Sequence, residues 1–225
     1  MMINRRLFVA AAPVVLAGCV TQRPELADTG PRIDPMYRQM YAAIETEPYP
    51  IPAVDLSDVD PRFLRQEVAY RTSEQPGTIV VDPSARFAYL VMEGGRALRY
   101  GVGVGKEEGF NLTGVATIGR KAEWPRWTPT QDMIRREPDR YGPVAGGLPG
   151  GPENPLGPRA LYLYRGNRDT FYRLHGTTEP WTIGTQVSSG CIRFLNQDII
   201  DLYGRVPTGT KAVVLPSRRG GGESA

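Results

Sequence analysis

The residues with the clearest capacity for chemistry lie in one glycine-rich segment, at positions 175–193. It contains His175, the only histidine of the chain, and Cys191, one of its two cysteines. A thiol is a good nucleophile as the thiolate, and an imidazole is the usual group that removes its proton. Such a pair implies acyl transfer, in which Cys191 attacks a carbonyl while His175 takes the thiol proton and returns it to a leaving amine.

Local sequence indicates how these two side chains are positioned. His175 ends a strand-like run, 170–174, and Gly176 allows a sharp turn directly after it. The small residues at 188–190 form a turn before Cys191, whose backbone amides could hold a developing oxyanion. Asn196 is expected to cap a helix over 197–203 that ends at Gly204.

Spacing alone leaves other interpretations open. A single histidine at a strand end is more often structural, and a single buried cysteine often behaves as a small hydrophobic residue. A zinc site is not expected, because one histidine and one cysteine cannot fill a tetrahedral site without several carboxylates.

The N-terminus predicts export. Residues 1–18 carry Arg5 and Arg6 and then a short apolar run, and they resemble a bacterial lipoprotein signal peptide that ends before Cys19. The resemblance implies a lipidated Cys19, an anchor in the membrane and a periplasmic location. Because Val20 is not an aspartate, the outer membrane of a Gram-negative host is the default. The alternative is an ordinary cleaved signal in which Cys19 has no role.

Composition excludes some classes of function. The chain has 225 residues and a formal net charge of +3, and the proposed signal accounts for two of these positive charges. A nearly neutral mature chain gives no sign of nucleic-acid binding. Its length fits one domain with a sizeable core.

The region 19–75 is proline-rich and predicts a tether or a loosely packed N-terminal arm. A short helix over 36–44 fits the spacing of the apolar residues there, and a second helix is expected over 60–68, with a proline in its first turn. The alternative is a solvent-exposed arm with no fixed structure.

From 76 to 216 the pattern favours strands, and the glycine-rich tail 217–225 is expected to be disordered. Many short strands separated by glycine and proline predict a mostly-β domain, either a sandwich or a closed sheet. The predicted strands are 78–81, 87–91, 97–104, 115–122, 160–164, 170–174 and 211–215.

One long segment, 125–158, holds eight prolines and six glycines and has little periodicity. Such a loop inside a compact domain is typical of a functional lid or a binding wall. The alternative is a surface excursion held by its own aromatic residues, Trp124 and Trp127.

The segment around Cys191 resembles the signature of the L,D-transpeptidase catalytic domain family of bacterial cell walls. The resemblance runs through His175-Gly176-Thr177, Gly184 and Ser188-Ser189-Gly190-Cys191-Ile192-Arg193, and then Asn196 and Asp198. Residues 77–82, 124–129 and 154–157 resemble the first strand, the proline-rich loop and the following turn of the family. Many members have a second histidine where this chain has Ser189, which implies that His175 acts alone.

The resemblance implies a mostly-β fold and a cysteine acyl-enzyme that needs no metal or organic cofactor. The donor is a peptidoglycan tetrapeptide stem, and carbapenems are expected to acylate the nucleophile. Cys191 is the nucleophile and His175 the base, while the Gly176 carbonyl orients the imidazole. The amides of Ser189, Gly190 and Cys191 would form the oxyanion hole. The residues that the resemblance suggests for substrate binding are Arg193, Trp127, Ser188 and Asn154.

Three functions remain in competition. The first is a transpeptidase whose acceptor is an amine of another stem or a lysine of an outer-membrane protein. The second uses water as acceptor and is a carboxypeptidase or an amidase. The third is a lipid-anchored tether that binds peptidoglycan without catalysis, although the presence of Cys191, His175 and Arg193 argues against it.

Overall fold

The computed structural model describes residues 34–105, 112–188 and 190–217. Its strands are β1 (Gln66–Ala69), β2 (Ile79–Asp82), β3 (Phe87–Met92), β4 (Arg96–Gly101), β5 (Val104–Gly105), β6 (Gly114–Glu123), β7 (Arg159–Arg165), β8 (Arg168–His175), β9 (Gln186–Ser188), β10 (Ile192–Arg193) and β11 (Lys211–Val214). Its helices are α1 (Pro35–Met40), α2 (Gln131–Arg136), α3 (Pro138–Tyr141) and α4 (Asn196–Arg205). Short 3-10 helices cover Pro61–Phe63, Glu93–Gly95, Gly142–Val144 and Pro180–Thr182.

The predicted mostly-β fold is confirmed, and its centre is one large mixed sheet. Nine strands follow the order β1-β4-β3-β2-β11-β6-β7-β8-β10, and β5 and β9 form a separate parallel pair. Two pairs of neighbouring strands in the large sheet are parallel, β11 with β2 and β10 with β8, and the other pairs are antiparallel.

Seven strands lie close to their predicted positions, namely β2, β3, β4, β6, β7, β8 and β11, whereas β1, β9 and β10 were not predicted. With three and two residues, β9 and β10 are too short for a period-two pattern to be recognised, and the segment of β1 was expected to be helical. The predicted strand 97–104 is interrupted after Gly101, and only Val104 and Gly105 continue, in the small second sheet.

The main core lies between the large sheet and α4. Strand residues such as Ile79, Ile118 and Leu161 are fully buried and join Ile199 and Leu202 of α4 in one apolar cluster. Close packing of this kind fixes the position of α4 relative to β7 and β8.

Helix α4 is longer than predicted and has a different start. It runs to Arg205, so Gly204 lies inside it rather than ending it. Asn196 is its first residue and does not cap it; its side-chain Oδ1 accepts a hydrogen bond from the Thr177 backbone N–H at 2.9 Å. Asn196 therefore ties α4 to the segment that follows His175.

The N-terminal arm differs from its prediction in secondary structure. Helix α1 ends at Met40 rather than at 44. The predicted helix over 60–68 is wrong, because Asp60 caps only a single 3-10 turn and Gln66–Ala69 instead pairs with β4 as an edge strand. Hydrogen bonding to the sheet outweighs the local helix signal there.

The prediction of a loosely packed arm is also wrong for its described part. Tyr41, Phe63 and Leu64 are almost fully buried, and they form a second apolar cluster with Ile183 and Leu195. Because Ile183 lies between His175 and Cys191, and Leu195 lies four residues after Cys191, the arm packs against the region that carries the predicted chemistry.

Some sequence predictions concern parts of the chain beyond this description. The signal 1–18, the lipidated Cys19, Ser189 and all but the first residue of the tail 217–225 lie outside the described residues. Within the described residues, no helix combines the length and the apolar character needed to cross a bilayer.

Candidate active site

His175 lies at the end of β8, and its ring is oriented by the next residue. The side chain is only 5% exposed, and Nδ1 lies 2.6 Å from the Gly176 carbonyl oxygen. Since a carbonyl only accepts, Nδ1 carries the proton and donates, which leaves Nε2 as the acceptor. This is the tautomer that a general base needs, with its accepting nitrogen turned away from the backbone contact.

The residue after His175, Gly176, has no space for a side chain. A Cβ on this residue would lie 2.3 Å from the Asn196 Oδ1 atom and 3.0 Å from Pro158. A side chain here would displace Asn196 or the strand end, and the carbonyl that orients His175 would move with it.

The pairing of two short strand segments brings Cys191 and His175 together. β10 runs parallel to β8, with Ile192 opposite Leu174 and Arg193 opposite His175. Because side chains alternate along a strand, Leu174 and Ile192 enter the core while His175 and Arg193 point to the other face. Cys191 directly precedes β10 and lines the same cavity as His175.

A strained residue in β8 also contacts the nucleophile. Phe171 has φ of 63° although it is not a glycine, and its carbonyl oxygen lies 3.8 Å from the Cys191 Sγ as an acceptor. Asp169 stabilises this conformation, because its Oδ1 accepts from the Phe171 N–H at 2.8 Å. The same carboxylate binds both terminal nitrogens of Arg173, at 2.7 and 2.8 Å. Sequence patterns did not reveal this arrangement.

Burial governs the protonation of both reactive groups. Burial, together with the nearby Arg193 charge, lowers the pKa of His175 to about 3, although the hydrogen bond to Gly176 acts in the opposite direction. Burial raises the pKa of the Cys191 thiol, although a backbone hydrogen bond from Arg173 and the charges of Arg173 and Arg193 act in the opposite direction. At neutral pH the resting pair is therefore a neutral thiol beside a neutral imidazole.

Arg193 is held by a carboxylate of the protein itself. Its guanidinium donates to Glu179 Oε2 at 2.6 Å and lies 3.5 Å from the Thr182 hydroxyl. Its backbone exchanges two hydrogen bonds with Gly103, each 2.9 Å long. Arg193 is thus fixed beside His175, and Glu179 is a site residue that sequence reasoning missed.

The long proline-rich segment forms one wall of a cavity of about 760 Å³ over Cys191. α2 and α3 lie in this wall together with Trp127, which sequence reasoning had assigned to the site. Trp127 pairs with Leu148 through two backbone hydrogen bonds, 3.0 and 2.8 Å long, and its ring packs on Tyr141 with centroids 6.0 Å apart. The loop therefore forms a wall of the cavity, as predicted, and its own aromatic residues help to hold it in place.

Asn154 holds this wall instead of facing the cavity. It is 1% exposed, and its amide nitrogen donates to the carbonyls of Pro125 and Pro149, both at 2.9 Å. Its Oδ1 accepts from the Leu156 N–H at 2.9 Å. The structure thus makes Asn154 a residue that positions the loop, rather than one that contacts substrate as the sequence had suggested.

The predicted oxyanion hole is described only in part. Gly190 has φ of 123°, a conformation that favours glycine, and it directly precedes the nucleophile. Ser188 ends β9, which pairs with β5 at Gly105, while Ser189 lies outside the described residues. The turn before Cys191 is thus held by β9 on one side and β10 on the other.

A buried ion pair joins the arm to the strand beside His175. Arg159, which opens β7, donates to Glu47 through both terminal nitrogens, at 2.9 and 2.5 Å. Glu47 also accepts from the Trp124 Nε1 at 2.9 Å, and the Arg159 carbonyl accepts from the Gly176 N–H at 3.3 Å. The arm therefore supports the turn that orients His175.

A second group of arm contacts reaches α4. Tyr41 donates to the buried Asp198 at 3.1 Å and accepts from the Arg65 N–H at 2.6 Å. Gln197 donates to the carbonyls of Ala42 and Pro52 at 3.1 and 3.0 Å. Burial raises the pKa of Asp198 to about 7 despite the Arg65 charge, so this carboxyl is partly protonated at neutral pH.

Comparison with known proteins is consistent with this site. A family model for the L,D-transpeptidase catalytic domain, YkuD, matches residues 76–214. The probable L,D-transpeptidase ErfK/SrfK of Escherichia coli K12 is 41% identical over 101 residues, which is 45% of this chain and 31% of that protein. A putative L,D-transpeptidase from the ATP synthase region of Fuscovulum blasticum is 35% identical over 138 residues, covering 61% of this chain and 68% of that protein.

Among solved structures, a Brucella melitensis protein described as a probable carnitine operon oxidoreductase is 53% identical. The match covers 72% of this chain and 99% of that one, with a TM-score of 0.48. The chain spans about a third of the length of the Escherichia coli relatives that it matches.

Proposed function

The chain belongs to the L,D-transpeptidase catalytic domain family, and from this premise we propose that it is a peptidoglycan L,D-transpeptidase. Cys191 attacks the carbonyl that joins the diamino acid at position three of a tetrapeptide stem to the terminal D-Ala. D-Ala leaves, and the acyl group passes to an amine. The observation that carries the proposal is the placement of His175, at the end of β8, and Cys191, directly before the paired strand β10, in the wall of one peptide-sized cavity.

The first half of the reaction forms the acyl-enzyme. As the sulfur bonds to the carbonyl carbon, the thiol proton moves to Nε2 of His175. The backbone amides at Ser189, Gly190 and Cys191 are the proposed donors to the oxyanion. When the carbon–nitrogen bond breaks, His175 returns the proton to the departing amine of D-Ala. The neutral resting pair supports proton transfer during the attack rather than before it.

The second half transfers the acyl group. An acceptor amine attacks the thioester carbon and gives a proton to Nε2, which passes it to the leaving sulfur. We propose an amine acceptor, either on another stem, which gives a 3–3 crosslink, or on a lysine of an outer-membrane protein. The half-buried rings of Trp127 and Tyr172 in the cavity wall support an amine over water, because apolar rings limit the access of water to the thioester.

We also propose a location for the reaction. The resemblance of residues 1–18 to a lipoprotein signal supports a periplasmic enzyme that is anchored through lipidated Cys19. The residue after this cysteine, Val20, supports the outer membrane as the site of the anchor. Mass spectrometry of the membrane-extracted protein tests the proposal, which fails if the mature chain keeps residues 1–18 or carries no lipid.

The chemistry is tested by the intact mass of the purified chain after incubation with a carbapenem, in parallel with Cys191→Ala. We expect one adduct per chain in the wild type and none in the variant. If the folded wild type forms no adduct, or if Cys191→Ala still does, the assignment of the nucleophile is wrong.

The acceptor is tested by product analysis with a tetrapeptide donor. With an added amine acceptor we expect a joined product together with release of D-Ala. If D-Ala is released at the same rate but only the free tripeptide accumulates, water is the acceptor and the enzyme is a carboxypeptidase.

A further inference from the structure

The cavity over Cys191 is markedly cationic. Six arginines line it, against three acidic residues. The arginines are Arg126, Arg135, Arg136, Arg140, Arg173 and Arg193, and the acidic residues are Asp132, Glu153 and Glu179. An excess of guanidinium groups in a concave site attracts an anionic ligand and raises its local concentration.

Several of these arginines are held by carboxylates of the protein. Arg193 pairs with Glu179 at 2.6 Å, and Arg173 binds Asp169 through two nitrogens. Arg135 pairs with Asp132 within α2. Their charges are balanced at short range, so these three side chains serve mainly to build the wall.

Arg126 and Arg140 differ from them. Arg126 donates to the Gly146 carbonyl, a neutral acceptor, and has no ion pair among the described residues. Arg140 lies 3.5 Å from Glu137 and 3.9 Å from Glu179, longer than the 2.7–2.9 Å typical of charge-assisted hydrogen bonds. Its side chain is 56% exposed, so it can exchange these distant partners for a ligand.

Both arginines belong to the loop that walls the cavity, and both line that cavity. Arg126 directly precedes Trp127, and Arg140 directly precedes Tyr141, and these two rings pack against each other. Arg140 also approaches Glu179, the partner of Arg193, which stands opposite His175 in the paired strands. A ligand bound by this pair would therefore lie beside the reacting groups.

We propose that Arg126 and Arg140 form a carboxylate-binding subsite for the donor stem and make the enzyme select stems with free carboxylates over amidated ones. This inference rests on the proposed function, because a stem is the ligand. Guanidinium groups suit the role, since their planar donors match a carboxylate and amidation removes the charge that they recognise.

The test uses steady-state release of D-Ala by the full chain with three synthetic stems. One stem has free carboxylates, a second has the side-chain carboxylate of its diamino acid amidated, and a third has its terminal D-Ala amidated. The wild type should show a KM at least about fivefold lower for the free stem than for one of the other two. The stem that loses affinity identifies the carboxylate that is bound.

Charge-removing variants assign this preference to the two residues. Arg126→Gln and Arg140→Gln should each raise the KM for the free stem about 3–10-fold, and more than they lower kcat. The double variant should bind free and amidated stems alike. Arg126→Lys, which keeps the charge near Gly146, should keep part of the preference. Arg62→Gln is the matched control, since its exposed guanidinium pairs with Asp60 at 3.0 Å and does not line the cavity.

Two results would overturn the subsite: a wild type that does not discriminate among the stems, or a double variant that discriminates as well as the wild type. Failure of the proposed function looks different, because no stem would then release D-Ala. In that case calorimetric binding of the same stems to Cys191→Ala decides the question, and equal affinities for free and amidated stems refute the subsite.

Discussion

Replacing Glu47 by Gln tests whether the N-terminal arm is an integral part of the catalytic fold. Glu47 is the partner of Arg159, and the two side chains are only 13% and 9% exposed. The substitution removes the negative charge but keeps an oxygen that can still accept from Trp124 Nε1. It therefore isolates the ion pair from the other contacts of the arm.

The expected loss of stability follows from the burial of the Glu47–Arg159 ion pair. Removing one partner of a fully buried ion pair costs about 3–5 kcal/mol, because the remaining charge stays uncompensated. Partial exposure and the remaining amide oxygen reduce this to about 2–3 kcal/mol in the free energy of unfolding. For a domain of this size, roughly 2–4 °C of melting temperature correspond to each kcal/mol, so the midpoint should fall by about 4–12 °C.

The assay is thermal unfolding of the purified chain at neutral pH, with Glu67→Gln as a matched control. Glu67 pairs with Arg96, but both side chains are well exposed, at 42% and 57%. Exposed pairs contribute about 0–1 kcal/mol, so the control should shift the midpoint by about 4 °C or less. Equal shifts in the two variants would refute the reasoning.

The pH dependence provides a second check. Arg159 holds the pKa of Glu47 below its ordinary value, so the pair stabilises the fold above the usual carboxyl range. This contribution is lost as the pH falls through the lowered pKa, because the folded carboxylate must then take up a proton. The difference between wild type and Glu47→Gln should therefore shrink at acid pH, and a constant difference would contradict the ion-pair explanation.

Three further predictions concern the site and its support. The rate at which iodoacetamide alkylates Cys191, measured by intact-mass spectrometry, should keep rising as the pH passes the usual thiol pKa near 8.5, because burial raises the pKa of this thiol. A rate that is constant between about pH 5 and 8 would instead indicate a preformed thiolate. His175→Ala should slow D-Ala release by about 10²–10⁴-fold, and a residual rate above about a hundredth would contradict the general-base role. Gly184→Ala should destabilise the protein by about 1–3 kcal/mol in urea, because a Cβ there would lie 2.2 Å from the Phe63 ring at a φ of 82°. Gly204→Ala, inside α4 with open space around it, is the control and should be neutral or stabilising by up to about 1 kcal/mol.

The sequence was sufficient to predict features that depend on local patterns. Strands β3 and β7 were recognisable from their apolar and aromatic residues, and His175 and Cys191 stood out because their residue types are rare in this chain. Local chemistry also indicated the turn at Gly176. These signals depend only on residues that are close together in the chain, so they can be recognised in a single sequence.

Features that depend on distant contacts could not be predicted in the same way. The two-residue β10 is defined by its pairing with β8, and Glu179 joins the site only because Arg193 reaches it. The arm was misjudged because its prolines suggested a tether, whereas the burial of Tyr41 and Phe63 arises from surfaces far along the chain. A proline-rich composition restricts the backbone conformation of a segment, but it does not indicate which surfaces the aromatic residues of that segment pack against.

The position of β11 has a consequence for how the chain folds. This strand lies between β2 and β6, parallel to the first and antiparallel to the second, and it joins the two halves of the large sheet. A chain that stops before Lys211 can form only two separate groups of four strands. Contacts between residues so distant in sequence slow folding, because a large loop must close before they form. Completion of the nine-stranded sheet must therefore await residues 211–214, and the apolar core that α4 shares with Ala212 and Val214 closes only at that step.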